Sequence, residues 1–356
     1  MSAAEHVSSA TRFVELPGGH TLESGAHLPE ARVAYRTWGR LDSAADNAVL
    51  VCHALTGSAD ADRWWGGIIG PGHALDPDED FIVCSNVLGS CYGTTGPTSA
   101  APGGRPCWGA EFPAVTVRDM VAAQARLLDA LCVRRLRLVI GGSLGGMQAL
   151  EWAASLPERV DAIAALATCG RHSAWCIGLS EAQREAIRSD PNWRGGCYAE
   201  DEPPAAGLTL ARMLAMCTYR SRESFEGRFH RHAHAGGGFE IVRYLRHQGE
   251  KLADRFDANC YLALTRAMDT HDLARGRGDY EAVLRSIELP TLVVAIESDV
   301  LYPPAEQEEL AALLPHARLA RLASPHGHDA FLIETEKVNT LVREFRDRDR
   351  RARIAV

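Results

Sequence analysis

The chain predicts an α/β fold, a mostly parallel sheet with helices on both faces and a helical segment inserted late in the sequence. Three observations predict it. Short continuous apolar runs recur at Ala48–Cys52, Phe81–Cys84, Leu136–Ile140, Val160–Ala167 and Leu289–Ile296, the composition of strands covered on both faces. Helical apolar spacing separates the earlier runs, as at Val117, Met120, Val121, Leu127, Leu128 and Leu131, and strands alternating with helices in this order lie parallel. From about His172 to Leu284 the strand pattern stops and amphipathic helical runs replace it.

Taken in order, residues 12–41 hold two alternating segments, around Arg12–Leu16 and Ala31–Trp38, that read as an antiparallel hairpin. Ala48–Cys52 empties into His53-Ala-Leu-Thr-Gly57, and Phe81–Cys84 into the glycine-rich stretch Leu88–Pro97. A helix is expected from Thr116 to Leu131, before the strand at Leu136–Ile140. Within the insertion, helical runs fall at Glu181–Ser189, Gly207–Tyr219, Ile241–Ala253 and Cys260–Thr270. The sheet pattern resumes at Leu289–Ile296, continues through Ala317–Leu322, and closes with a charged amphipathic helix from Lys337 to about Arg348. The expected division is a core of residues 11–171 and 285–356 with an insertion of residues 172–284.

Composition narrows the function classes. With 356 residues, 46% of them hydrophobic and 24% charged, the chain has the material for a large α/β core. A net charge of −8 gives no basic field for nucleic acid or an anionic membrane. No apolar run approaches the ~18 residues of a membrane span. Met1–Thr11 is small and polar without a basic start, so the expected location is the cytoplasm. The ten cysteines are scattered singly with no Cys-x-x-Cys, so no metal is expected and the thiols are expected to be reduced. Arg228-Phe-His-Arg-His-Ala-His234 offers alternate histidines, but beside Gly236-Gly-Gly238 it reads as a solvated loop.

The chemistry centres on Leu138-Val-Ile-Gly-Gly-Ser-Leu-Gly-Gly-Met-Gln-Ala-Leu-Glu-Trp152. An apolar strand, a turn with four glycines around one serine, and a good helix-former run follow one another directly. Gly141-x-Ser143-x-Gly145 is the nucleophile-elbow pattern, in which a tight turn holds the serine above the sheet edge. The alternative is a phosphate-cradling turn. The dinucleotide spacing, however, needs glycine where Ser143 stands, and the Gly-Lys-Ser/Thr ending is absent.

A serine nucleophile needs a base, and the base needs an orienting carboxylate. In the chain order Ser, Asp, His, Asp299 follows the strand at Val293–Ile296 and His328 lies in Ser324-Pro-His-Gly-His-Asp-Ala330 after the last strand. Strand exits are where such sheets gather ligands and catalysis. Asp299 as a mere turn cap, and His326 in place of His328, stay open at this point. For the oxyanion, the Leu144 amide follows the nucleophile, and Leu55, after the early strand, is the second expected donor.

These residues together resemble the homoserine O-acetyltransferase family of α/β-hydrolase-fold enzymes. The similarity is carried by His53–Gly57, Trp64-Trp65, Ile69–Gly72, Cys84–Gly89, Gly93–Pro97, Gly141–Trp152, Phe256–Asn259 and Gly327–Phe331, nearly the whole chain. It implies Ser143, Asp299 and His328 as the triad, a helical lid after the sixth core strand, and a homodimer formed through the lids. It further implies that Arg212, in Arg212-Met-Leu-Ala-Met-Cys-Thr-Tyr219, holds the L-homoserine carboxylate, with Tyr219 also at the substrate, and that Asp329 takes the amino group. Arg212 and Tyr219 are seven residues apart, hence on one helical face, and a guanidinium suits a carboxylate; a plain lid salt bridge is the alternative.

The resemblance departs in places. Leu144 stands where methionine is common, which matters little because the backbone amide is what the reaction uses. Cys169–Cys176, Phe256–Cys260 and Thr270–Asp272 look like the fungal-type branch, which includes an acetyltransferase of cephalosporin biosynthesis, and related bacterial proteins are acetyl esterases. Leu301 stands where relatives using succinyl-CoA carry arginine, so the implied co-substrate is acetyl-CoA; alternatively Leu301 packs under the lid. The expected activity is acetyl transfer from acetyl-CoA to L-homoserine, as in methionine biosynthesis, with no permanently bound cofactor. Ester hydrolysis, or transfer to serine or deacetylcephalosporin C, is the alternative.

Overall fold

The computed structural model describes the backbone of residues 7–354 and the side chains of residues 7–348. The first six residues of the Met1–Thr11 segment therefore lie outside the described residues. Eight strands form one sheet: β1 (Arg12–Leu16), β2 (Ala31–Trp38), β3 (Ala48–Cys52), β4 (Phe81–Ser85), β5 (Leu136–Gly142), β6 (Ile163–Leu166), β7 (Thr291–Ile296) and β8 (Ala317–Leu322). Their order across the sheet is β1-β2-β4-β3-β5-β6-β7-β8. β2 runs antiparallel to both β1 and β4, and the remaining pairs are parallel. The antiparallel opening and the parallel centre are those the apolar pattern predicts.

The apolar runs are continuous because each central strand feeds two cores. Along β3, Ala48, Leu50 and Cys52 face one core, while Val49 and Val51 face the other. In β5 the register shifts beside Ala48, where Leu136 pairs with Ala48 and Leu138 with Val49. The bulge lets Leu136 and Val139 join the first core and Leu138 and Ile140 the second.

Helix α1 (Val117–Ala130) starts at a reciprocal cap, Thr116 accepting from the Asp119 amide and the Asp119 carboxylate accepting from the Thr116 amide. With α2 (Leu144–Ser155) it packs on the first core through Met120, Leu127, Met147 and Leu150. Between β6 and β7 lie α3 (Ala174–Arg188), α4 (Ala205–Tyr219), α5 (Arg222–Phe229), α6 (Glu240–Ala253), α7 (Ala258–Asp269) and α8 (Tyr280–Arg285). Helix α9 (Pro304–Leu313) follows β7, and α10 (Thr335–Ile354) covers the second core with Val338, Val342 and Phe345.

Several boundaries differ from the sequence expectation. Helix α3 begins a full two turns before Glu181, because Ser173 caps it by accepting from the Cys176 amide. Residues 228 and 229, read as part of a loop, close α5. That helix is mostly polar, but Phe225 and Phe229 lie on one face with rings 6.1 Å apart and pack against Tyr244. The strand expected over Val160–Ala167 is shorter, since a 3-10 turn at Pro157–Arg159 precedes it and Val160 makes only an isolated bridge to Leu136.

Candidate active site

β5 runs into Ser143, whose φ of 57° and ψ of −125° lie in a region that side-chain-bearing residues rarely enter. The turn is held on both sides. The Ser143 amide donates to the Leu166 carbonyl (2.9 Å), and the Ser143 carbonyl accepts from Thr168 Oγ1 (2.9 Å). A Cβ on Gly145 would stand 2.1 Å from the Cys52 carbonyl oxygen, so α2 can lie against the end of β3 only with glycine there. Ser143 is thus a buried hydroxyl at the amino end of α2, where the helix dipole favours negative charge.

Asp299 and His328 meet two strands away. β5, β6 and β7 are neighbours, with Gly142 beside Leu166 and Leu166 beside Val294, so Ser143 and Asp299 both follow the carboxyl ends of strands that lie two spacings, about 10 Å, apart. His328 Nδ1 lies 2.7 Å from Asp299 Oδ2. The other carboxylate oxygen, Oδ1, accepts from the Leu301 and Tyr302 amides at 2.8 and 3.0 Å. Asp299 is therefore both a turn acceptor and the partner of His328, and His328, not His326, is the histidine it holds. Phe331 connects this pair to the elbow: its ring centroid is 5.6 Å from that of His328, and a Cβ on Gly142 would meet the same ring at 2.5 Å. Burial works to lower the His328 pKa, but the charge and hydrogen bond of Asp299 outweigh it and hold the imidazole above its ordinary value.

The loop after β3 carries Leu55, buried at 6% exposure. His53 locks this loop. Its Nε2 accepts from the Val87 amide (3.1 Å) while Nδ1 donates to the Ala54 carbonyl (2.8 Å), and burial pushes its pKa down to about 4, so it stays neutral at physiological pH. Leu144, fully buried, begins α2 directly behind Ser143.

The residues of the expected acceptor site also come together. The Arg212 guanidinium lies 5.0 Å from the Tyr219 ring centroid, and the Tyr219 ring is 5.8 Å from that of His328. Asp329 follows His328 in the chain. Its carboxyl is raised by burial, against the opposing charges of Arg220 and Arg212. Arg220, which the sequence reading did not single out, reaches Asp329 at 3.3 Å. The end of α4 rests on the histidine loop so closely that a Cβ on Gly327, whose φ is +67°, would fall 2.7 Å from the Ser221 amide nitrogen. Leu301 is buried, its amide on Asp299 and its carbonyl accepting from Cys176 Sγ (3.2 Å). Among the described residues no group of three or more His, Cys, Asp or Glu side chains could hold a metal ion; in the 228–238 segment His234 instead pairs with Glu240 at 2.9 Å.

Residues 47–335 match the family model described as alpha/beta hydrolase fold. The chain is 58% identical over 347 residues to the homoserine O-acetyltransferase of Trichormus variabilis, covering 97% of this chain and 96% of that one. The homoserine O-acetyltransferase from Bacillus anthracis superposes with a TM-score of 0.88 at 26% identity, covering 94% of this chain and 97% of that chain. An acetylester hydrolase from Corynebacterium glutamicum superposes with a TM-score of 0.86, also at 26% identity, covering 95% of this chain and 96% of that chain.

Proposed function

Because the chain belongs to the homoserine O-acetyltransferase family of the α/β hydrolase fold, we propose that it moves the acetyl group of acetyl-CoA to the hydroxyl of L-homoserine through an acetyl-Ser143 intermediate. His328 takes the Ser143 proton as Oγ attacks the thioester carbonyl, and Asp299 keeps the imidazole in the tautomer with Nε2 free. The Leu55 and Leu144 amides hold the oxyanion. The C–S bond breaks, and the CoA thiolate leaves with the proton from His328. The homoserine hydroxyl then gives its proton to His328 and attacks the acetyl carbonyl, and the ester bond to Ser143 breaks as its Oγ recovers that proton from His328. Arg212 receives the acceptor's carboxylate, Tyr219 lines the substrate beside it, and Asp329 takes its ammonium.

The observation that carries this reading is the run of contacts from Arg212 through Tyr219 to His328, with Asp329 beside it. Arg212 and Asp329 are close enough to act on one another electrostatically, and a cation and an anion near the base suit an amino-acid acceptor, whereas water as acceptor needs neither. The likeness to the acetylester hydrolase supports one rival, the same triad with water as acceptor. Acetyl-CoA consumption with homoserine, serine, deacetylcephalosporin C or water as acceptor separates them. Arg212→Ala is expected to raise the homoserine KM about ten- to a hundredfold, the value of a charge-assisted carboxylate contact, while acetyl-CoA hydrolysis is retained. Unchanged homoserine kinetics would remove Arg212 from the acceptor site.

In this reading residues 172–284 form a lid on a core of residues 11–171 and 285–356, and two lids join in a homodimer. The enzyme works in the cytoplasm on soluble substrates; no described helix is long and apolar enough to cross a membrane. Acetyl-CoA is the donor because Leu301 offers no partner to the distal carboxylate of a succinyl group, and an unpaired buried charge is costly. A preference for acetyl-CoA over succinyl-CoA of at least about a hundredfold in kcat/KM, or ~2.7 kcal/mol, is expected, and Leu301→Arg should narrow it. Equal turnover with the two donors at fixed homoserine would refute the assignment.

A further inference from the structure

Beneath the elbow, three polar side chains meet among the apolar residues of the first core. Gln124 of α1 is 2% exposed, and Gln148 and Trp152 of α2 are fully buried. They form one chain of hydrogen bonds. The Trp152 indole can only donate, and Gln124 Oε1 accepts from it at 2.8 Å. This turns the Gln124 Nε2 group onto Gln148 Oε1 (2.7 Å), which in turn points the Gln148 Nε2 group at two backbone carbonyls, those of Leu144 (3.1 Å) and His53 (3.3 Å).

Those carbonyls belong to the two segments that supply the oxyanion donors. Leu144 is one donor residue itself, and His53 opens the short loop that carries Leu55. One amide group therefore ties the start of α2 to the loop after β3. Its orientation is set through Gln124 by an indole whose one N–H is spent on that glutamine.

We propose that Gln148, oriented by Gln124 and Trp152, is a positioning residue that sets the Leu55 and Leu144 amides at the spacing the tetrahedral oxyanion requires. The proposal rests on the assignment of those two amides as the oxyanion site. Substrate contacts are not involved, so the relay acts on the transition state and leaves ground-state binding alone.

The test uses Gln148→Met, which keeps the length of the side chain and removes its donors. Four quantities are measured: the rate of acetyl-enzyme formation, the two KM values, the affinity for a small alkylboronic acid that adds to Ser143 as a tetrahedral anion, and the thermal midpoint. Acetylation is expected to slow about ten- to a hundredfold, with boronate affinity falling in parallel and the KM values little changed. Should this variant not fold, Gln124→Met leaves Gln148 in place without its partner and is expected to show the same pattern more weakly. Parental acetylation and boronate affinity in a folded variant would overturn the relay. A parent enzyme that forms neither acetyl-enzyme nor boronate adduct would instead overturn the covalent Ser143 reading on which the oxyanion assignment rests.

Discussion

Ser143→Ala is expected to form no acetyl-enzyme and to lower kcat/KM with homoserine by about 10⁴–10⁶-fold. The elbow exists to present this hydroxyl: the backbone is held at φ 57° by bonds to Leu166 and Thr168, and alanine preserves them because both use main-chain atoms. The fold should therefore survive while the nucleophile is gone. Parent kinetics should be ping-pong, with parallel double-reciprocal lines for acetyl-CoA and homoserine, because the acyl group rests on the protein between substrates. A variant that still carried acetyl after acetyl-CoA treatment would remove Ser143 from the mechanism.

Asp299→Asn is expected to reduce kcat by about 10³–10⁴-fold, because an amide facing His328 Nδ1 can select the wrong tautomer. The pH profile gives a second readout. With His328 as the proposed base, activity on the acid side requires its neutral form, and burial lowers its pKa while Asp299 more than restores it. Removing the carboxylate charge leaves burial in place, so the acidic limb of kcat/KM should move to lower pH; a limb that stayed or rose would contradict this electrostatic role. His326→Ala, two residues away and not bonded to Asp299, should change little.

The elbow is legible in the sequence because its determinants are contiguous: an apolar strand, the glycines around Ser143, and a helix-forming run. Asp299 and His328 are legible for another reason, their places just beyond the ends of β7 and β8. Arg212 and Tyr219 are placed by the resemblance and by helical spacing. The Gln124–Gln148–Trp152 relay is invisible in one dimension, since glutamines on two helices look like ordinary solvated positions until the helices pack. Arg220 escapes notice because it lies just past the end of α4, where the chain turns extended and the side chain swings to Asp329. Helix α5 has almost no apolar period, and its two phenylalanines gain their role only from Tyr244 on α6.

Passage of acetyl from acetyl-CoA to homoserine by way of Ser143 can be followed in a pulse-chase mass measurement. The enzyme is loaded with acetyl-CoA, freed of excess donor, and chased with homoserine or with buffer alone. One acetyl group is expected on the peptide containing Ser143, transferred to O-acetylhomoserine much faster than it is lost to water. An acetyl group that leaves equally fast in buffer, or that never appears on Ser143, would contradict it.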